Sequence, residues 1–228
     1  MDYNNFTIWI LDSWKGWYYA LLDIKSHFPQ YNYKTYLDYI NAPYGNKTSE
    51  EIYTLTEVGC QKLWNQWCQI ILIACNTICA ETLRKLQDTY IDKKILWCII
   101  PSAEVAVKIS HGKIGLIWTY FTVNSWKYQR EITKLSWSHK VFSLATPELA
   151  WYIEDGLSHD TKILNYVDIH IKKLLKKEID TLILACTHYT VYYEYISMTY
   201  PQLKIVDSAR TQTIKLWEYL SRHRELFK

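Results

Sequence analysis

Glycine is scarce in this chain. Only 6 of its 228 residues are glycine, well under the roughly 7% that soluble proteins use. Long apolar runs are missing as well. No stretch approaches the ~18 residues of a membrane-crossing helix, so no membrane partner is expected. Neither sign of charge dominates. The formal net charge is +3 and the basic residues are scattered, which argues against a nucleic-acid partner. The start, Met1-Asp2-Tyr3-Asn4-Asn5, lacks a basic region followed by an apolar core. No signal peptide is predicted there, and a cytoplasmic protein is expected. The 6 cysteines, at 60, 68, 75, 79, 98 and 186, show no zinc spacing. No metal is expected, and the thiols read as free rather than as disulfides. Tryptophan, in contrast, is abundant at 11 residues.

Two stretches say nearly the same thing. Residues 70–77 and 181–188 are each an apolar run that ends in Ala-Cys and then in amide or hydroxyl groups: Ala74-Cys75-Asn76-Thr77 and Ala185-Cys186-Thr187-His188. A short, continuous apolar run reads as a buried parallel strand. A helical pattern follows, most clearly at 80–86. Each cysteine therefore stands where a strand ends and a helix begins, the edge at which open α/β sheets bind ligands and at which thiol pKa values fall.

Strand and helix signals alternate along the rest of the chain. Residues 6–11 read as a strand ending at Asp12-Ser13, 18–27 as a helix, and 34–38 as a second strand. A loop with Pro43-Tyr44-Gly45 follows. Thr48 and the early acids Glu50 and Glu51 open the next helix. Residues 113–119 then restart the pattern of residues 7–13, with Gly115 where the first copy has Trp9. The distances from each restart to its cysteine are similar, so the chain reads as an internal duplication with one thiol per copy. The predicted fold is α/β, with two pseudo-symmetric domains. Each is a mainly parallel sheet flanked by helices, and the active site is expected in the cleft between them. The predicted domains are 1–97 with 208–228, carrying Cys75, and 98–207, carrying Cys186.

These motifs, in this order, resemble the aspartate/glutamate racemase family, and its glutamate racemases most closely. The resemblance runs from Ile8 to about Ser208. It rests on Asp12-Ser13, on Asp38 with Asn41-Ala42-Pro43-Tyr44-Gly45, and on the two cysteine motifs. Thr119, Thr122, Ser125 and Val206-Asp207-Ser208 extend it. It implies a cofactor-independent racemase that takes the α-proton of glutamate on one face and returns one on the other. It also implies a D-glutamate supply for peptidoglycan, and it leaves room for a homodimer. An aspartate or broader-specificity racemase and an inactive binding relative are the alternatives.

Racemisation needs a base and a conjugate acid flanking one carbon, and a tuned thiolate is a competent base. Taken singly, Cys75 and Cys186 are ordinary buried thiols; paired and followed by polar groups, they point to catalysis. By the resemblance, Asp12 and His188 assist them. Ser13, Pro43, Tyr44, Gly45, Asn76, Thr77, Thr119 and Thr187, with Asp12 and His188, hold the substrate. Glu154 falls near a family glutamate close to the site.

Where the family has glycine, this chain repeatedly has tryptophan: at 9, 14, 17, 67, 97, 118 and 126. Tryptophan is a poor substitute wherever a turn needs φ > 0 or backbone must approach closely. UGA codons meant as glycine but read as tryptophan produce this pattern. A diverged protein that truly carries these tryptophans is the competing reading.

Overall fold

The computed structural model describes residues 6–227, without the side chains of residues 121 and 227. The first five residues, read above for a leader, lie outside it. The chain divides into two compact units, Met1–Cys98 with Ala209–Lys228, and Ile99–Ser208.

The first unit runs β1 (Thr7–Asp12), α1 (Trp17–His27), β2 (Asn32–Leu37), α2 (Ser49–Trp64), β3 (Ile71–Ile73), α3 (Asn76–Glu81), α4 (Leu83–Thr89) and β4 (Ile95–Leu96). The second runs α5 (Ile99–Ile109), β5 (Lys113–Trp118), α6 (Tyr120–Asn124), α7 (Lys127–Leu135), β6 (Lys140–Ala145), α8 (Glu148–Glu154), α9 (Thr161–Leu175), β7 (Thr181–Leu184), α10 (Tyr193–Thr199) and β8 (Lys204–Asp207). Helix α11 (Ser208–Arg222) then returns to the first unit.

Both sheets are parallel and four-stranded, with orders β2-β1-β3-β4 and β6-β5-β7-β8. This is the α/β architecture expected from the sequence. The registers also agree: Trp9 of β1 pairs with Ile71 of β3, and Gly115 of β5 pairs with Leu182 of β7. Each partner lies four residues before its unit's cysteine, so the internal repeat is a repeat of hydrogen-bonding register. In each order the chain changes direction across the sheet beside its first strand, β1 or β5. Crevices of this kind, at the carboxyl ends of the strands, are where open α/β sheets take ligands.

Burial explains why these strands are apolar on both faces. In the first unit Ile8, Ile10, Ile70 and Leu72 pack against Ala20 and Ile24 of α1 and Leu216 and Leu220 of α11. Leu11 points the other way, toward α2 at Gly59. Helix α2 starts with a reciprocal cap: Glu51 N–H donates to Thr48 Oγ1, and the Glu51 carboxylate accepts from Thr48 N–H. Gln212 of α11 donates to the carbonyl of Ile73 at 2.9 Å, which ties the end of β3 in place.

Two details differ from the sequence pattern. The helical stretch after Cys75 is broken at Thr82 into α3 and α4. After Cys186 the chain first makes a 3-10 segment, Thr187–Tyr192, before α10. Pro101 lies in the first turn of α5, where its missing N–H costs nothing. Among the described residues no helix is long and apolar enough to cross a membrane.

Candidate active site

In the first unit Asp12 ends β1, and one of its carboxylate oxygens accepts the Ser13 N–H at 2.7 Å. This bond fixes the turn so that the Ser13 hydroxyl reaches across to β3, where it lies 3.3 Å from Cys75 Sγ. The ladder explains the meeting: Ala74 N–H donates to the Leu11 carbonyl, one residue before Cys75 and two before Ser13. Cys75 is the cap residue of α3, in extended conformation. Asn76 and Thr77 follow in the first turn and are buried. Pro43 caps a 3-10 turn, Tyr44–Asn46, that contains Gly45 and packs against α3. Tyr44 is buried. Its phenol is held protonated, first by burial, then by its hydrogen bond to Asp38 and by the charges of Asp38 and Cys75.

The family resemblance includes Asp38 and Asn41 in the matched loop but gives neither a role of its own. Tyr44 Oη donates to Asp38 Oδ2 at 2.7 Å, and Asn41 Nδ2 lies 2.9 Å from both Asp38 oxygens. The signal available was spacing: an acid just past a strand, with an amide three residues and a phenol six residues later.

In the second unit Cys186 Sγ lies 3.6 Å from His188 Nδ1, and His188 Nε2 lies 2.7 Å from Glu154 Oε1. Glu154 is the last residue of α8. Its carboxylate can only accept, so it fixes the proton on Nε2 and turns Nδ1 toward the sulfur. With Nδ1 free of a proton the ring can take one from the thiol; with both nitrogens protonated it pairs with a thiolate. Thr187 is buried beside Cys186. Thr119 caps α6, and its hydroxyl lies 2.7 Å from that of Thr122. Tyr189 braces this end of the sheet by donating to the Thr146 carbonyl at 2.7 Å.

Three of the other cysteines are held as thiols. Burial pushes the thiols of Cys60 and Cys68 up to about 12, and burial also raises that of Cys98. They stay protonated and take no part in base chemistry. Among the described residues no group of three or more His, Cys, Asp or Glu side chains is placed to hold a metal ion.

No family model matches the chain. It is 34% identical over 221 residues to glutamate racemase 1 of Caldanaerobacter subterraneus subsp. tengcongensis, which covers 96% of this chain and 82% of that protein. The crystal structure of a glutamate racemase isoform from Bacillus anthracis superposes with a TM-score of 0.90 at 31% identity, covering 96% of this chain and 83% of that one. The glutamate racemase of Francisella tularensis, solved in complex with D-glutamate, gives 0.89 at 25% identity, with coverages of 98% and 83%. Shared sequence along nearly the whole length, on the same pair of parallel sheets, shows that the chain belongs to the glutamate racemase family.

Proposed function

We propose that the chain interconverts L- and D-glutamate without a cofactor by moving the α-proton between two thiols, Cys75 and Cys186. One observation carries this reading. Each unit presents a thiol at the same register of the same topology, with a polar partner at its sulfur: Ser13 for Cys75 and His188 for Cys186.

The chemistry follows from what each group can hold. One sulfur enters as thiolate and the other as thiol. The thiolate forms an S–H bond as the α C–H bond breaks, and the electron pair stays on the α-carbon, delocalised into its carboxylate. The opposite S–H bond then breaks and delivers its proton to the other face. The product is the mirror image, and the two sulfurs have exchanged protonation states. Resetting them needs a proton path at each sulfur. Asp12 acts on the Cys75 side through Ser13, and His188, oriented by Glu154, acts on the Cys186 side. Ser13, Asn76, Thr77, Thr119, Thr187 and the turn of Pro43, Tyr44 and Gly45 supply donors for the substrate carboxylates. The product serves peptidoglycan synthesis in the cytoplasm.

The deciding experiment offers L- and D-glutamate and L- and D-aspartate to the purified protein in D₂O. Deuterium entry at the α-carbon with inversion of glutamate is the expected result. Inversion of aspartate alone would reassign the substrate. No exchange with any of the four would make the chain a binding protein.

A further inference from the structure

We infer that Asp38 is a positioning residue for this reaction, its carboxylate holding the 41–45 loop so that Tyr44 and Gly45 stand beside Cys75. Asp38 follows β2 directly and its N–H donates to the Asp12 carbonyl, so it sits one strand from the Asp12-Ser13 turn. Its side chain is buried and takes hydrogen bonds from both ends of one short loop, Asn41 Nδ2 and Tyr44 Oη. A buried carboxylate is costly unless its lone pairs are filled; here members of the loop fill them. The same bonds therefore satisfy the acid and set the loop. The 3-10 turn that begins at Tyr44 then packs on α3, the helix that Cys75 caps.

This inference rests on the two-thiol reading, and the experiment separates the two. Asp38→Asn, Asn41→Ala and Tyr44→Phe are compared for KM and kcat, with circular dichroism and thermal midpoints as folding controls. Loss of charge-assisted bonds to a loop that binds substrate raises KM about tenfold in Asp38→Asn, with a smaller fall in kcat. Tyr44→Phe and Asn41→Ala give smaller rises in KM. A wild-type KM in all three folded variants overturns the positioning role. If Cys75→Ala keeps turnover, the two-thiol reading itself fails.

A different observation independently carries a second inference: Trp67 and Trp126 stand where the protein made in its own cell has glycine. Trp67 has φ 61° and Trp126 has φ 56°, a region that bulky residues rarely enter. Among the described residues only one other non-glycine, Glu178, shares it. The surroundings of Trp67 are diagnostic. At the end of α2, Trp67 N–H donates to Trp64 O and Cys68 N–H to Leu63 O. At the end of α8, Gly156 N–H donates to Ile153 O and Leu157 N–H to Tyr152 O. These are the same helix-ending motif, whose left-handed position is usually glycine, and the second copy has Gly156 at φ 74°.

Trp67 gains nothing from its ring, which is 92% exposed. Trp126 is left-handed at the start of α7 and makes no side-chain cap. Trp118, fully buried, has no acceptor for its indole N–H among the described residues, an uncommon arrangement for a buried tryptophan. Trp9, by contrast, is accommodated, with Lys34 Nζ lying over its ring, and its case rests on the register it shares with Gly115. The test is mass spectrometry of peptides spanning 67 and 126 from protein isolated from the source cell. Glycine masses at both positions support the inference; a tryptophan mass at either overturns it for that position.

Discussion

His188 Nε2 meets Glu154 Oε1 at 2.7 Å, with both side chains almost fully enclosed. Even when His188 is protonated, a pair this buried contributes little net stability, because desolvation offsets the attraction. What it secures is orientation: the ring cannot rotate Nδ1 away from Cys186 without breaking the bond. Glu154→Gln keeps the shape and loses the charge. We expect kcat to fall about ten- to a hundredfold, and further in Glu154→Ala. Because free L- and D-glutamate have equal free energy, kcat/KM must fall by the same factor in both directions. Steady-state kinetics from each enantiomer check this, and wild-type kcat in Glu154→Ala would remove Glu154 from the proton path.

Cys75→Ala and Cys186→Ala each leave one face of the α-carbon without its acid or base. Racemisation should fall by at least ~10⁴-fold in either variant, the upper range for loss of a positioned acid or base. Exchange of the α-proton with solvent without inversion should survive for the enantiomer whose proton faces the remaining thiol. Deuterium incorporation into L- and D-glutamate, analysed by chiral separation, distinguishes the two. Equal exchange of both enantiomers in either variant would show that a single base serves both faces.

Cys60 gives the pH dependence of stability a definite sign. Its thiol rises from 9.0 to about 12 because burial penalises the thiolate, with the charge of Glu57 adding to this. A raised folded-state value means that the folded protein keeps a proton the unfolded chain releases. Stability is therefore whole below about pH 9 and is lost as pH climbs toward 12. The loss from this one group reaches about 2–3 kcal/mol by pH 11. Urea midpoints measured from pH 7 to 11 should decline above pH 9, and less steeply in Cys60→Ala. Parallel slopes in the two proteins would refute the assignment.

The sheets were legible because each β1-, β3-, β5- and β7-type strand is apolar on both faces, which only a strand covered on both sides produces. The repeat was legible because Cys75 and Cys186 end matching runs. The break at Thr82 was not: residues 80–86 have a continuous helical pattern, and only the packing of α3 and α4 decides the bend. Nor was the role of Asp38, since a lone acid after a strand looks like any loop acid until Asn41 and Tyr44 fold back on it. Glu154 was approached only through the family likeness. Its distance of thirty-four residues from His188 in the chain carries no local signal.

The left-handed tryptophans give the last prediction. At φ near +60° a Cβ crowds the backbone, and glycine relieves that crowding at some cost in unfolded-state entropy. In an open position such as 67, with the ring in solvent, no packing is lost on removing the indole. Trp67→Gly should therefore stabilise the protein, raising its thermal midpoint by about 2–4 °C, what ~1 kcal/mol yields in a chain of this size. Trp126→Gly should act in the same direction and, being far in sequence and in another unit, add to the first. Trp64→Gly is the control: Trp64 is the last residue of α2, and its ring centroid lies 4.6 Å from that of Tyr90 at a tilt of 51°, so glycine there should lower the midpoint. Scanning calorimetry on the three variants decides the matter, and a lowered midpoint in Trp67→Gly would mean that the left-handed conformation costs this chain nothing.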